Sequence, residues 1–299
     1  MTIRTRMKKA GVDSGLTHVK AFWINDRGEE VFRSTADMGP DELALEMQQA
    51  GITDLCVAGN GSQKLFNGFK HHCLEGNPLK LEISTQATGV SRLLSRRSQG
   101  LPEMYYLISI GTGTSYTLCD NRTRRFVSLI GSAIGAGTVD GLMALAEVKS
   151  GPLVDTLLSW KLAKGDLSSF DLMLGEAIPS LKGTPLERYA ASHLAKVPLH
   201  FPGSVPLEIT SLCMSAVNML VTDVARSILL HDKNPVCRIV LDEVPVPIRD
   251  VVILGTMPHR STAVRLLLDT ALRSIHKDPI FPEHGEYALA VGAYHRINP

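Results

Sequence analysis

Hydrophobic and polar positions alternate from the start of the chain. Ala10-Gly11-Val12-Asp13 runs into a Ser-Gly turn, and Val19–Ile24 reads as the returning strand. Asn25-Asp26-Arg27-Gly28 is a hairpin turn, and Glu30–Ser34 forms a third strand. The period then changes. Pro40 suits a first helical position, Asp41 and Glu42 suit the positive helix start, and Gly51 ends the segment. Leu43, Met47 and Ala50 share one face, which should be buried. Asp54–Ala58 and Leu79–Ile83 read as short apolar strands, and Thr85–Arg97 as a helix.

A second cycle begins near residue 103. Tyr105–Ile110, Ser115–Cys119 and Phe126–Ile130 read as strands, separated by Gly111–Thr114 and by the polar turn Asn121–Arg125. A glycine-rich loop, Gly131–Gly137, opens a helix near Thr138. Residues 151–206 are broken by Pro and Gly and give no clear pattern. Leu212–His231 reads as a long amphipathic helix, Val251–Leu254 as a buried strand, and Ser261–His276 and Gly285–His295 as helices. The plan strand, small-residue turn, strand, strand, helix thus occurs twice, which predicts two related α/β domains, residues 1–100 and 101–299, facing a cleft.

Composition narrows the function classes. The 299 residues suffice for two cores, with 44% hydrophobic residues, and the formal net charge of +1 gives no basic excess for nucleic acid. Apolar runs such as Val251–Leu254 and Ala288–Gly292 are too short for a membrane span, and basic Met1–Lys9 lacks an apolar signal-peptide stretch after it. Five scattered cysteines fit neither a disulfide framework nor a CxxC metal site, and point to a reducing cytoplasm. The histidines, His71-His72 included, show no metal spacing. There is no Walker A sequence, GxSxG or HExxH.

The candidate chemistry sits in turns. In GVDSGLTHVK, residues 11–20, Asp13 at a strand end can hold Mg²⁺, Gly15 lets backbone amides approach a phosphate, and Lys20 can neutralise a terminal phosphate. An ordinary glycine hairpin explains this segment too. In SIGTGTSY, residues 109–116, six small or hydroxyl residues follow a buried strand and suit a phosphate cradle without Lys. GSAIGAGT, residues 131–138, stands at a helix start, where free amides attract phosphate or ribose oxygens; its glycines serve close packing equally well. It is not the dinucleotide GxGxxG placed after a first strand. Gly255-Thr256 ends a buried strand and suits either an adenosine pocket or a plain strand-to-helix turn. Glu82, between Leu81 and Ile83, is either a cleft-facing base for a hydroxyl or a solvent-facing strand residue.

Taken in order, these pieces resemble the acetate and sugar kinase, Hsp70 and actin superfamily, and within it the type II pantothenate kinases. Asp13, Gly15, Thr17 and Lys20 match the family's first phosphate turn, and Gly111, Thr112, Gly113, Thr114 and Ser115 match its second in full. Gly135-Ala136-Gly137-Thr138, with Gly141-Leu142, is similar to its glycine loop, and Glu82 with Gly89 to its catalytic Glu segment. Weaker similarity continues through Ala190-Ala191-Ser192, Leu220–Ala225, Val252–Gly255 and the segment from Pro279 to Ala293, so it covers nearly the whole chain.

The resemblance implies an actin-like ATPase (ribonuclease H-like) fold and an ATP- and Mg²⁺-dependent kinase of pantothenate in the cytoplasm. Glu82, Asp13 and Lys20 would be catalytic, with Gly255 and Thr256 at the adenosine. It also implies a homodimer through residues 140–230, with neither nucleic acid nor membrane as partner. Three departures stand out. Leu16 replaces a glycine of the first turn. Ser128 falls where the family holds the pantothenate carboxylate with Arg, leaving Arg124 or Arg125 to reach it. Ala271 falls where the family has an aromatic residue. A kinase of the same fold acting on another hydroxylated acid, amide or sugar, and a non-catalytic nucleotide-binding regulator, are the alternatives.

Overall fold

The computed structural model describes residues 8–15, 17–59, 66–73, 78–95, 100–145, 155–156, 158–159, 162, 171–184, 187, 190–193, 209–233 and 248–297. Leu16 and Arg97 lie outside them. The chain forms two compact units. The first comprises Met1–Glu103, Cys119–Ser128 and Phe281–Pro299, the second Met104–Leu118 and Leu129–Ile280.

The first unit is built on β1 (Lys8–Ser14), β2 (Val19–Ile24), β3 (Glu30–Ser34), β4 (Ile52–Ala58) and β5 (Lys70–Cys73), in the order β3-β2-β1-β4-β5. β1 is antiparallel to β2 and parallel to β4, and β5 is parallel to β4. Strand alternation sends Ala10, Val12, Val19, Ala21, Trp23 and Leu55 into one core with Leu43 and Met47 of α1 (Pro40–Gln49). The opposite face, with Phe22, Cys56 and Ala58, packs on α8 (Ala288–Ile297). β1 is therefore covered on both sides. α2 (Pro78–Leu94) packs on α8 through glycine. A Cβ at Gly89 would stand 1.7 Å from the Ala288 carbonyl oxygen, and one at Gly292 1.8 Å from that of Thr85. The two backbones touch, which only glycine permits.

The second sheet joins β6 (Met104–Ile110), β7 (Thr114–Asp120), β8 (Arg125–Ser128), β11 (Asp250–Leu254) and β12 (Asp278–Ile280) in the order β12-β11-β6-β7-β8. Read from its other edge, this repeats the first sheet. β7 and β8, which follow it in the chain, lie on one side of the leading strand β6, and the parallel strands β11 and β12 lie on the other. β9 (Leu172–Met173) and β10 (Ala190–Ser192) form a separate pair. The helices are α3 (Ala136–Leu145), α4 (Leu174–Ala177), α5 (Ile209–Lys233), α6 (Thr256–Arg260) and α7 (Thr262–Ser274). α5 packs against α3 and α7.

Three expectations change. Leu79–Ile83 is not a strand but the start of α2. Ala87, Val90 and Leu94 are buried along α2, and that helical spacing outweighs the three-residue alternation around Glu82. α2 also ends at Leu94, short of Arg97. Finally, Thr210–Asp232 of α5 is long and apolar enough to cross a membrane, against the reading that every apolar stretch is too short. Most of it is buried inside the protein, as in the core helix of a globular domain.

Candidate functional site

Asp13 stands near the end of β1, directly opposite Lys20 of β2 in the antiparallel register. Lys20 Nζ lies 3.6 Å from Asp13 Oδ2, and the two side chains are only 13% and 14% exposed. Burial raises the Asp13 carboxyl above its ordinary pKa, and Lys20 offsets this only in part. The neighbouring Ser14 hydroxyl is buried and meets no hydrogen-bond partner among the described residues. A Cβ at Gly15 would stand 2.7 Å from the His18 carbonyl oxygen, so this tight turn requires glycine. Thr17 is exposed.

Gly59 closes this corner and went unnoticed in the sequence. It follows β4 with φ +93°, and a Cβ there would stand 2.8 Å from the Ser14 carbonyl oxygen and 3.2 Å from Asp13 Oδ1. The signal was present as Ala58-Gly59-Asn60-Gly61, a small-residue run after a buried strand.

Glu82 projects from the second turn of α2, in the same unit. Its pKa is raised, first by burial and then by the negative charge of Asp13. Two carboxylates thus share one corner, and the charge of Asp13 helps hold Glu82 toward protonation.

In the second unit, the second turn and the glycine loop form one packed body. Gly111 N donates to Gly113 O at 2.8 Å, and Thr114 and Ser132 exchange backbone bonds of 2.9 and 2.8 Å. The Thr114 hydroxyl donates to Ile134 O at 2.7 Å, and Ala136 N to Gly111 O at 2.8 Å. A Cβ at Gly135 would stand 2.6 Å from Gly113 Cα, and one at Gly137 2.8 Å from Thr112 Cγ2. Gly111, Thr112 and Ser115 are exposed, whereas Thr114 and Gly135 are buried. The Gly111 and Thr114 amides are therefore spent inside the loop. α3 begins at Ala136, two residues before the expected start. Thr138 Oγ1 instead holds the loop, accepting from Gly135 N at 3.3 Å and donating to Ala133 O at 3.1 Å.

Gly255 has φ +120°, and a Cβ there would stand 2.1 Å from the Ile110 carbonyl oxygen. β11 pairs with β6 up to Leu254 opposite Ser109, so Gly255-Thr256 lies beside the start of the second turn. His259 Nδ1 donates to Gly255 O at 2.8 Å and fixes the bend.

The predicted residues thus fall into two sets. Asp13, Gly15, Lys20 and Glu82 meet in the first unit. Gly111–Ser115, Gly135–Thr138 and Gly255-Thr256 meet in the second. Arg124, Arg125 and Ser128 belong to neither set. They lie exposed on the 121–124 turn and on β8, and Arg124 adopts φ +54°. Among the described residues, no group of three or more His, Cys, Asp or Glu side chains could hold a metal ion. A hydrated Mg²⁺ needs fewer protein ligands, and the acidic corner fits it. Asp13 is a hard oxygen donor whose charge Lys20 leaves partly uncompensated, and the Ser14 hydroxyl beside it is unpartnered.

No protein-family model matches the chain. Type II pantothenate kinases of two Staphylococcus aureus strains, bovine RF122 / ET3-1 and USA300, are each 22% identical to it over 293 residues, 95% of this chain and 98% of theirs. Among solved structures, component A of (R)-2-hydroxyglutaryl-CoA dehydratase from Acidaminococcus fermentans superposes with a TM-score of 0.52 at 17% identity, over 97% of this chain and 96% of that one. A ROK family glucokinase from Streptomyces griseus gives a TM-score of 0.46 at 12% identity, over 97% and 98%. With its two five-stranded sheets of matching strand order, the chain has the actin-like ATPase fold.

Proposed function

We propose that the protein is an ATP-dependent kinase that phosphorylates the primary hydroxyl of pantothenate, the first step of coenzyme A biosynthesis. The observation that carries this reading is the Asp13–Glu82 corner, where two raised carboxylates and Lys20 gather at the end of β1. The whole-length likeness to type II pantothenate kinases supports it. A second reading, phosphorylation of another small hydroxylated acid or sugar by the same machinery, draws on Ser128 standing where that family has a carboxylate-binding Arg.

Each side chain has a task that its surroundings permit. Glu82 accepts the proton of the acceptor hydroxyl, and its raised pKa makes it a stronger base than an ordinary carboxylate. Lys20 neutralises charge on the transferred phosphoryl group. In the first unit Gly15 and Gly59 keep side chains away from a phosphate, and in the second unit the turn at 111–115 with the loop at 135–138 is the candidate phosphate turn. Gly255 and Thr256 flank the adenosine. Asp13 would hold a hydrated Mg²⁺, which would supply neutralisation of phosphate charge when bound. Arg124, Arg125 and Ser128 remain acceptor-side candidates, since β8 packs against α2. A cytoplasmic homodimer joined through residues 140–230 completes the proposal.

The test is a coupled ADP-release assay of the full chain against pantothenate and a panel of hydroxy acids and sugars. Turnover with pantothenate alone supports the first reading, turnover with another acceptor the second, and none with any acceptor removes both.

Two further results are expected. The acid limb of the kcat–pH profile should lie above the ordinary carboxylate range of about 4.3, because Glu82 must be ionised to act. A limb within or below that range would exclude Glu82 as the base. Asp13→Asn should abolish most activity yet raise Tm at pH 7. A carboxyl with a raised folded-state pKa favours folding below its unfolded pKa, and that contribution is lost as pH rises through the folded value. The ionised Asp13 therefore weakens the fold at pH 7, and the gain in Tm should shrink toward pH 4. A lower Tm at pH 7 would show that the Lys20 pair outweighs burial.

A further inference from the structure

Arg296, in the last turn of α8, donates from Nη2 to Ser84 Oγ of α2. Arg33, Arg122 and Arg273 each meet a carboxylate oxygen, at 2.8, 3.4 and 2.9 Å. Arg296 meets none among the described residues, although it is half-buried. Burial lowers its pKa, opposed among the described residues only by the buried Cys56 of β4. A partly desolvated guanidinium without a counter-charge is unfavourable, and a bound anion would relieve it. Beside Ser84 in the chain, the hydroxyl of wholly buried Thr85 also meets no partner among the described residues.

The position of this cation is set by the glycine contacts. Gly89 meets Ala288 and Gly292 meets Thr85, so α2 and α8 run in opposite directions. The end of α8 thereby reaches the start of α2, the part that carries Glu82. Glu82 in turn lies close enough to Asp13 to feel its charge. Arg296, Glu82 and Asp13 therefore share one end of the first unit. Glu82 and Ser84 are two residues apart on a helix, about 3 Å along its axis and on different flanks. An anion at Arg296 and a hydroxyl at Glu82 would belong to opposite ends of one small molecule.

The geometry points to Arg296 as the residue that selects the acceptor, its guanidinium with Ser84 binding a negatively charged group at the end of the molecule remote from the reacting hydroxyl. This rests on the kinase reading above and assigns its acceptor contact to α8 rather than to the exposed Arg124 and Arg125.

The test compares Arg296→Ala, Arg296→Gln and Arg296→Lys with two acceptors, pantothenate and its uncharged alcohol analogue, pantothenol. Arg296→Ala should raise KM for pantothenate by about 10- to 100-fold, the loss of one charge-assisted contact, and leave KM for ATP and for pantothenol within about twofold. Arg296→Lys should recover part of the loss. Arg296→Gln keeps the stem and a donor for Ser84 without the charge, and should behave like the alanine variant if that one fails to fold. Equal changes for both acceptors, or none for pantothenate, would overturn the assignment. Should the wild-type protein phosphorylate neither acceptor, the kinase reading falls and calorimetry with pantothenate decides the anion site separately. Tighter binding by wild type than by Arg296→Gln supports the site, and equal or absent binding removes it.

Discussion

Glu82→Gln is expected to lower kcat by roughly 10²–10⁴-fold while KM for ATP stays within a few-fold of wild type. The amide keeps the size and hydrogen-bonding reach of the carboxylate but accepts no proton. It also removes a partly buried negative charge beside Asp13, so the variant should be at least as stable as the wild type. That combination separates a lost base from a damaged fold. A burst or single-turnover measurement with pantothenate and ATP would show the slow step at chemistry. Near-normal turnover in the folded variant would remove Glu82 from the mechanism, and weakened ATP binding of the same size would reassign it to the nucleotide.

Gly89→Ala should be the most damaging glycine-to-alanine change among the described residues, with Gly292→Ala close behind. In each case the new Cβ would stand 1.7 or 1.8 Å from a backbone carbonyl oxygen of the facing helix. A backbone atom cannot rotate aside as a side chain can, so α2 and α8 must separate. A cost of about 3 kcal/mol is expected. Gly141→Ala is the matching control. It lies exposed in α3 with nothing within 4 Å of a Cβ, and alanine should stabilise that helix by about 0.5–1 kcal/mol. Thermal melts of the three variants measure both signs. An undisturbed Gly292→Ala would mean that the two helices are not in backbone contact.

Much of this architecture could be read before any coordinates. The hairpins β1–β2 and β2–β3 announce themselves through alternation and through Asn25–Gly28, because a strand buried on one face and a glycine turn are both local effects. The glycine turns at 111–115 and 131–137 were legible for the same reason. Glu82 was not placed correctly. Leu81-Glu82-Ile83 alternates over three residues, and only the spacing of Ala87, Val90 and Leu94 reveals the helix. β5, with sequence Lys-His-His-Cys, and β12, with Asp-Pro-Ile, carry no strand signal of their own. Parallel pairing to β4 and β11 makes them strands, and that information lies elsewhere in the chain. α5 hid its apolar length behind Ser211, Ser215 and Asn218, polar residues that a packed helix tolerates. Ser215 donates to buried Asp171 at 2.6 Å. Gly59 showed only as a small-residue run, whose contact with Ser14 and Asp13 the sequence does not give, and the pairing of Gly89 with Gly292 depends on contacts between distant segments and could not be found by reading along the sequence.

The first unit is stitched from residues far apart in synthesis order. β1 and β4 carry Asp13 and Gly59, yet the helix that covers one of their faces, α8, lies at residues 288–297. Nearly 180 residues separate position 103 from the segment that begins at Phe281. At about 5–20 residues per second, a ribosome takes on the order of 10–40 s to cross that interval. Throughout it, the nascent sheet displays Phe22, Cys56 and Ala58 uncovered. The acidic corner therefore cannot mature as the chain emerges. It forms after translation of α8, and until then the emerging polypeptide presents a sticky, unfinished sheet of the kind that chaperones bind.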